Sequence, residues 1–252
     1  MRRVLVTGAA GNIGTTWTAH ARAAGQYELR LTDVRADDRD DVVPADLADL
    51  DALKSLCQGM DTVVHLAGDP DPSGTWASVH RANIEGTYNV FVAAKAAGCR
   101  RVVYASSIHA VSGSAPDVQV KTHEPVNPGD VYGVTKCFGE ALGRYMAEQE
   151  GLSVIAIRIG AFDSPALADA FVSKRDLCQL IDRSIEAEDV DFAILHGLSD
   201  NRYKRLDLSD TRRLVGYAPV DDAAADVTAL ADQPSAHDLS SPLQQSGLRD
   251  DL

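Results

Sequence analysis

Short apolar runs alternate with amphipathic stretches from the first residues onward. Val4-Leu5-Val6 reads as a strand, and the Ala-rich run Thr15 to Ala24 as a helix after it. Tyr27 to Asp33 is a second strand, in which Leu29 and Leu31 alternate with polar residues. Val42 and Val43 suggest a short third strand ending at Asp46-Leu47. Leu50, Leu53 and Leu56 recur near the helical period, so residues 49–58 are expected to be helical. Further strands are expected at 61–68, 101–107 and 153–159, and helices at 78–97 and 131–148. A long loop carrying Pro116, Pro125 and Pro128 precedes the last of these helices. Such alternation predicts an α/β fold, a doubly wound parallel sheet with helices on both faces. Ligands of such a sheet sit outside the carboxyl ends of its strands. Gly8, Asp33, Asp46, Gly68 and Ser107 all fall at those ends.

The rhythm changes after Gly160. Phe162 to Val172 is irregular, Lys174 to Glu186 looks helical, and Phe192 to His196 is a short strand. Ser209 to Val215 is a short helix with Gly216 as its C-cap. Residues 1–160 are therefore read as a nucleotide-binding domain and 161–220 as a small substrate lobe integrated with it. Residues 221–252 form an acidic tail, rich in Asp, Ala, Ser and Gln, whose composition suits a flexible segment. No internal repeat is visible.

Composition narrows the function classes. The 252 residues are 45 % hydrophobic, which suits a globular chain, and the net charge is −13. That charge argues against nucleic acid or anionic membranes as partners. Cys57, Cys99, Cys137 and Cys178 form no Cys-x-x-Cys pair, so reduced thiols are expected, not a zinc site or any other metal centre. The apolar run after Arg2-Arg3 stops at Thr7-Gly8, too soon for a signal peptide, and no stretch is long enough to span a membrane. A cytoplasmic protein is expected.

The first candidate chemistry is the turn Thr7-Gly8-Ala9-Ala10-Gly11-Asn12-Ile13-Gly14, between a strand and a helix. Glycines let the backbone turn tightly and let a pyrophosphate approach. The following helix offers free N–H groups and partial positive charge to the phosphates. An acid about twenty residues on completes a dinucleotide site of Rossmann type, and Asp33 supplies it. A carboxylate there accepts hydrogen bonds from an adenosine ribose and repels a 2′-phosphate, so NAD is favoured over NADP. Arg35, close by, softens that preference.

The second is a constellation. Tyr132 and Lys136 are four apart on the expected helix and share a face, and Ser107 ends the fifth strand. Tyr has a pKa near 10 and is a poor base at neutral pH. A buried ammonium and a positive nicotinamide would favour its phenolate. Ser107 would hold the reacting oxygen while an alcohol carbon passes hydride to NAD.

Taken together, TGAAGNIG, Asp33, Asp46-Leu47, HLAG at 65–68, Asn83 with Gly86-Thr87, Ser106-Ser107 and YGVTK at 132–136 resemble one family. It is the extended short-chain dehydrogenase/reductase group, also called the NAD-dependent epimerase/dehydratase family. HLAGDPDP, ASSIHAVSG, YGVTKCFGEALGRY and HGLSDNRYKRLDL extend the likeness to its uronate dehydrogenase-like branch, which includes archaeal sugar-phosphate dehydrogenases. The resemblance implies NAD-dependent oxidation of a sugar acid or aldose at the anomeric carbon to a lactone, with Ser107, Tyr132 and Lys136 catalytic. It implies cofactor contacts at Gly8, Gly11, Asn12, Ile13, Gly14, Asp33, Val34, Asp46, Leu47, Leu66, Ala67, Gly68, Asn83, Tyr132, Lys136 and Phe162. Substrate contacts are expected from Asp69, Ser107, Ile108, His109, Ala161 and Lys174. Asp69 is equally readable as a turn residue, and Lys174 with Arg175 as a surface pair. His65 is read as a packing residue of its strand. The two helices bearing Tyr88, Phe91, Phe138, Leu142 and Tyr145 imply a homodimer through a four-helix bundle.

The chain departs from the uronate dehydrogenases in places. They have Asn where Ile108 stands and Ser where Ala161 stands, and their carboxylate-binding Arg falls near Ala166, whereas no Arg lies between Arg158 and Arg175 here. These departures touch the substrate and leave the reaction type alone. The rival readings are a nucleotide-sugar epimerase or dehydratase, and a non-catalytic NAD(P)-sensing protein.

Overall fold

The computed structural model describes residues 1–35, 41–115 and 117–223. Pro116 and the part of the expected tail from 224 onward lie outside the described residues. Seven strands form one parallel sheet in the order β3-β2-β1-β4-β5-β6-β9: β1 (Arg2–Thr7), β2 (Tyr27–Asp33), β3 (Val42–Pro44), β4 (Thr62–His65), β5 (Arg101–Ser107), β6 (Ser153–Ile159) and β9 (Phe192–Gly197). The chain reverses direction across the sheet between β1 and β4, the switch point where Rossmann-type folds bind nucleotides.

Burial explains the apolar runs. In β1, Val4 and Val6 join the core on one face, while Leu5 between them joins the core on the other. In β6, Ile155 and Ile157 face the first core, and Val154 and Ala156 the second. Both faces are covered, so these strands read as continuous and not alternating. Helices α1 (Asn12–Ala24) and α6 (Lys174–Glu186) cover the first face. On the second lie α2 (Leu50–Cys57), α4 (Gly86–Ala96) and α5 (Val131–Glu148).

Several elements differ from the expected bounds. Helix α1 begins at Asn12 and not Thr15, so Asn12, Ile13 and Gly14 form its first turn. Strand β3 ends at Pro44, which leaves Asp46 and Leu47 in the loop beyond it. The single helix expected at 78–97 is a short α3 (Trp76–Val79), a π-helical turn (His80–Glu85) and α4. A π turn carries one extra residue and often marks a functional site. Here it brings Asn83 inward, to 1 % exposure. The expected irregular run 162–172 contains a two-residue parallel pair, β7 (Ala161–Phe162) with β8 (Phe171–Val172). The stretch 161–220 also supplies β9 to the main sheet and α6 to its face. Among the described residues the last helix is α7 (Ser209–Val215), closed by Gly216 in the left-handed region as expected. Among the described residues no helix is long and apolar enough to cross a membrane.

Candidate active site

The glycine turn is built by close packing. Gly8 has φ +74°, and a Cβ there would lie 2.5 Å from the Ala67 amide nitrogen. Only glycine accepts both that dihedral and the approach of β4's exit loop. Gly11 then caps α1 without any side-chain hydrogen bond, and the first turn holds no acid. Helices α2, α5 and α6 are instead capped by Asp49, Asp130 and Ser173. The amides at the start of α1 are therefore left for an anion.

Asp33 faces this turn from the end of β2. The Ala10 amide donates to its Oδ2 at 2.9 Å and the Arg35 amide to its Oδ1 at 3.0 Å. The carboxylate is thus fixed in orientation. A cleft of about 670 Å³ runs along these residues. Of the expected cofactor contacts, Gly8, Gly11, Asn12, Ile13, Gly14, Asp33, Val34, Asp46, Leu47, Leu66, Ala67 and Gly68 line it. Asp69, expected to touch substrate, also lines this cleft. Sequence reasoning missed Arg81, which lines the cleft and donates to Asp46 Oδ2 at 2.5 Å. The Ala48 amide and then Arg81 hold the Asp46 carboxyl below its usual range.

Asn83 does not line the cleft. Its Oδ1 accepts from the Asp69 amide at 2.7 Å, and its Nδ2 donates to the Asp69 carbonyl at 3.0 Å and to Thr135 Oγ1 at 3.1 Å. It braces the loop after Gly68 against α5. Phe162 lines neither cavity and packs against the core beneath β7. Lys174 is likewise absent from both linings. Its Nζ pairs with Asp163 Oδ2 at 2.7 Å on an exposed surface. The aspartate next to β7 satisfies the charge offered to substrate in the sequence reading.

A second, smaller pocket of about 150 Å³ adjoins the cleft, with Pro70 lining both. Ser107, Ile108, His109, Tyr132 and Ala161 line it as expected, together with Gly160 and Ala170. Ser107 ends β5, and its hydroxyl accepts from the His109 amide at 3.2 Å as the chain enters a single 3-10 turn (Ile108–Val111). Tyr132 stands in the first turn of α5 and shares the pocket with Ser107. The helix approaches so closely that a Cβ on Gly133 would strike the His109 carbonyl.

Burial pushes the Tyr132 phenol up to about 12; the Ser107 hydrogen bond opposes this, while the Asp130 and Asp69 carboxylates add to it. Lys136, one turn on, is buried and held down to about 8 by desolvation. Its Nζ donates to the Ala105 carbonyl at 2.9 Å and lies 5.3 Å from the Tyr132 ring centre, beneath Gly68. The chain's own groups therefore favour the protonated phenol, whereas the expected phenolate called on the ammonium together with the positive ring of NAD.

Two buried polar networks hold this site. His109 Nδ1 pairs with Asp130 Oδ2, a partnership the sequence reading missed. Behind Ser107, Arg158 donates twice to Glu140, at 2.9 Å each, and Ser106 donates to Glu140 at 2.6 Å. His65 is a packing residue with two hydroxyl partners, Thr7 at 2.7 Å and Thr87 at 3.2 Å, and burial drives it down to about 3.

The model of the NAD dependent epimerase/dehydratase family matches residues 4–237. The chain belongs to that family. It is 37 % identical to an L-arabinose 1-dehydrogenase (NAD(P)(+)) of Haloferax volcanii, over 89 % of this chain and 98 % of that protein. It is 32 % identical to a uronate dehydrogenase of Pseudomonas putida, over 97 % and 94 %. A crystal structure of uronate dehydrogenase from Agrobacterium tumefaciens, a mutant complexed with NAD, superposes with a TM-score of 0.83 at 30 % identity, covering 100 % of this chain and 98 % of that one.

Proposed function

We propose that this chain is an NAD-dependent sugar dehydrogenase that oxidises an aldose or uronic acid, at the anomeric carbon, to a lactone. The observation that carries the reading is the shared wall at Pro70. There a cleft suited to a dinucleotide meets a pocket that Ser107 and Tyr132 line together. The relatives act on sugars of this kind by their names, and the match spans nearly their whole length.

The residues fit NAD. The uncapped start of α1 takes the pyrophosphate, and the oriented Asp33 carboxylate takes the adenosine ribose hydroxyls. Lys136 lies where it can hold the second ribose through the N–H groups not given to Ala105. Bound NAD supplies the hydride acceptor and a positive ring that favours a nearby phenolate. Ser107 and Tyr132 grip the sugar hydroxyl, and Tyr132 takes its proton as the hydride leaves the same carbon. His109 holds a neighbouring hydroxyl.

A nucleotide-sugar epimerase would need room for a nucleoside diphosphate beside the sugar. The second pocket, at about 150 Å³, is smaller than usual ligand pockets of roughly 300 Å³ and above. The test is to incubate the purified protein with NAD and a mixture of aldoses, uronic acids and sugar phosphates. A dehydrogenase releases NADH, seen in the near ultraviolet. Interconversion of sugars with no NADH in solution would instead make it an epimerase.

A further inference from the structure

We infer that the substrate is an uncharged aldose and not a uronate or a sugar phosphate. This inference rests on the dehydrogenase reading above and deepens it. Two kinds of residue line the pocket. Ser107, Tyr132 and His109, the reacting end, bring polar side chains to it. The rest of the lining, an alkyl wall, is Pro70, Ile108, Gly160, Ala161 and Ala170, none with a polar side chain.

Two carboxylates act on this space, opposed by one ammonium, Lys136, on the side of the cofactor cleft. Asp130 lies directly behind His109, 2.6 Å from its Nδ1. Asp69 adjoins Pro70, where the pocket meets the cofactor cleft. Both carboxylates are near enough to raise the Tyr132 phenol, so their fields reach the reacting end.

Lys136 Nζ donates to the Ala105 carbonyl and lies beneath Gly68, on the side of the cofactor cleft. The other cations discussed above are paired with carboxylates. Arg158 is taken by Glu140, Lys174 by Asp163 and Arg175 by Asp221. Among the described residues no Lys or Arg lines the pocket.

A carboxylate or phosphate entering this space would shed water against Ile108, Ala161 and Ala170 and gain no cation in return. Burying an unpaired charge in that way is costly, and like charges nearby add to the cost. A neutral pyranose meets none of these penalties. It lays its C–H surface on the alkyl wall and gives its hydroxyls to Ser107, Tyr132 and His109.

The test uses matched sugars with the purified protein and saturating NAD: D-galactose against D-galacturonate, and D-glucose against D-glucuronate and glucose 6-phosphate. Within each set only the group outside the ring differs. The neutral member is expected to show a kcat/KM higher by on the order of a hundredfold, the scale of an incompletely compensated buried charge. A charged member equal to or better than its neutral counterpart would overturn the inference and leave the dehydrogenase reading standing. No NADH from any sugar, with NAD binding verified by calorimetry, would overturn both.

Discussion

His109 Nδ1 and Asp130 Oδ2 lie 2.6 Å apart with both side chains buried, and the other oxygen of Asp130 accepts the Gly133 amide at 2.6 Å. One carboxylate thus ties the imidazole in the pocket to the helix carrying Tyr132 and Lys136. The His109 ring stands edge-on to Tyr132, with centroids 5.4 Å apart. A carboxylate can only accept here, so Nδ1 carries a proton and Nε2 is the nitrogen left for a sugar hydroxyl.

Asp130→Asn should separate these roles from capping. Asn is as good an N-cap as Asp, so the thermal midpoint should stay near the parent's. The KM for sugar should rise about tenfold, the value of one hydrogen bond of about 1.4 kcal/mol. The pH profile should move too. Asp130 raises the phenol, and a base works only when deprotonated, so losing the charge should shift the acid-side fall in activity to lower pH. Asp130→Ala should in addition cost about 1 kcal/mol of stability. An unchanged KM and pH profile in the Asn variant would leave Asp130 as a cap alone.

Tyr132→Phe removes the proposed base and little volume. Turnover should fall by roughly 10²–10⁴-fold, the usual contribution of a general base. NAD should still bind, since the Gly8 turn and Asp33 are untouched. Steady-state rates and calorimetric titration with NAD check the two halves separately; parental turnover would remove Tyr132 from the chemistry.

Asp33→Ala should weaken NAD by about tenfold or more and narrow the preference over NADP, because the repulsion of a 2′-phosphate goes with the carboxylate. Two backbone amides, Ala10 and Arg35, lose their acceptor at the same time. Ratios of kcat/KM for the two cofactors measure this. An unchanged ratio would mean that another residue reads the ribose.

Glu140→Ala tests the foundation of the site. Arg158 is 0 % exposed and gives two hydrogen bonds to Glu140. Removing one member of a buried pair leaves the other charge uncompensated, at about 3–5 kcal/mol. Urea unfolding should show that loss, whereas a fall below about 1 kcal/mol would mean that water reaches Arg158.

The sheet was legible because its strands are buried on both faces, which writes runs such as Val4-Leu5-Val6 into the chain. The glycine turn and Asp33 were legible because a close approach such as that of Gly8 to Ala67 tolerates few residue types. The π-helical turn at 80–85 was not, since one extra residue per turn barely disturbs a helical pattern. The resemblance implies Asn83 as a cofactor contact, whereas its amide here meets Asp69 and Thr135. Lys174 was misplaced for a related reason: a charge shows in the sequence, but its partner Asp163, in a loop, does not. The bond between Asp130 and His109 depends on the 3-10 turn after Ser107, which carries no pattern of its own.

The most direct test of the central claim follows one hydrogen atom. An aldose deuterated at its anomeric carbon is mixed with NAD and the purified protein, and the reduced cofactor is weighed by mass spectrometry. The account predicts NADH heavier by one deuterium, with a lactone as the sugar product. Reduced cofactor without the label, or labelled sugar altered while NAD stays oxidised in solution, would contradict it.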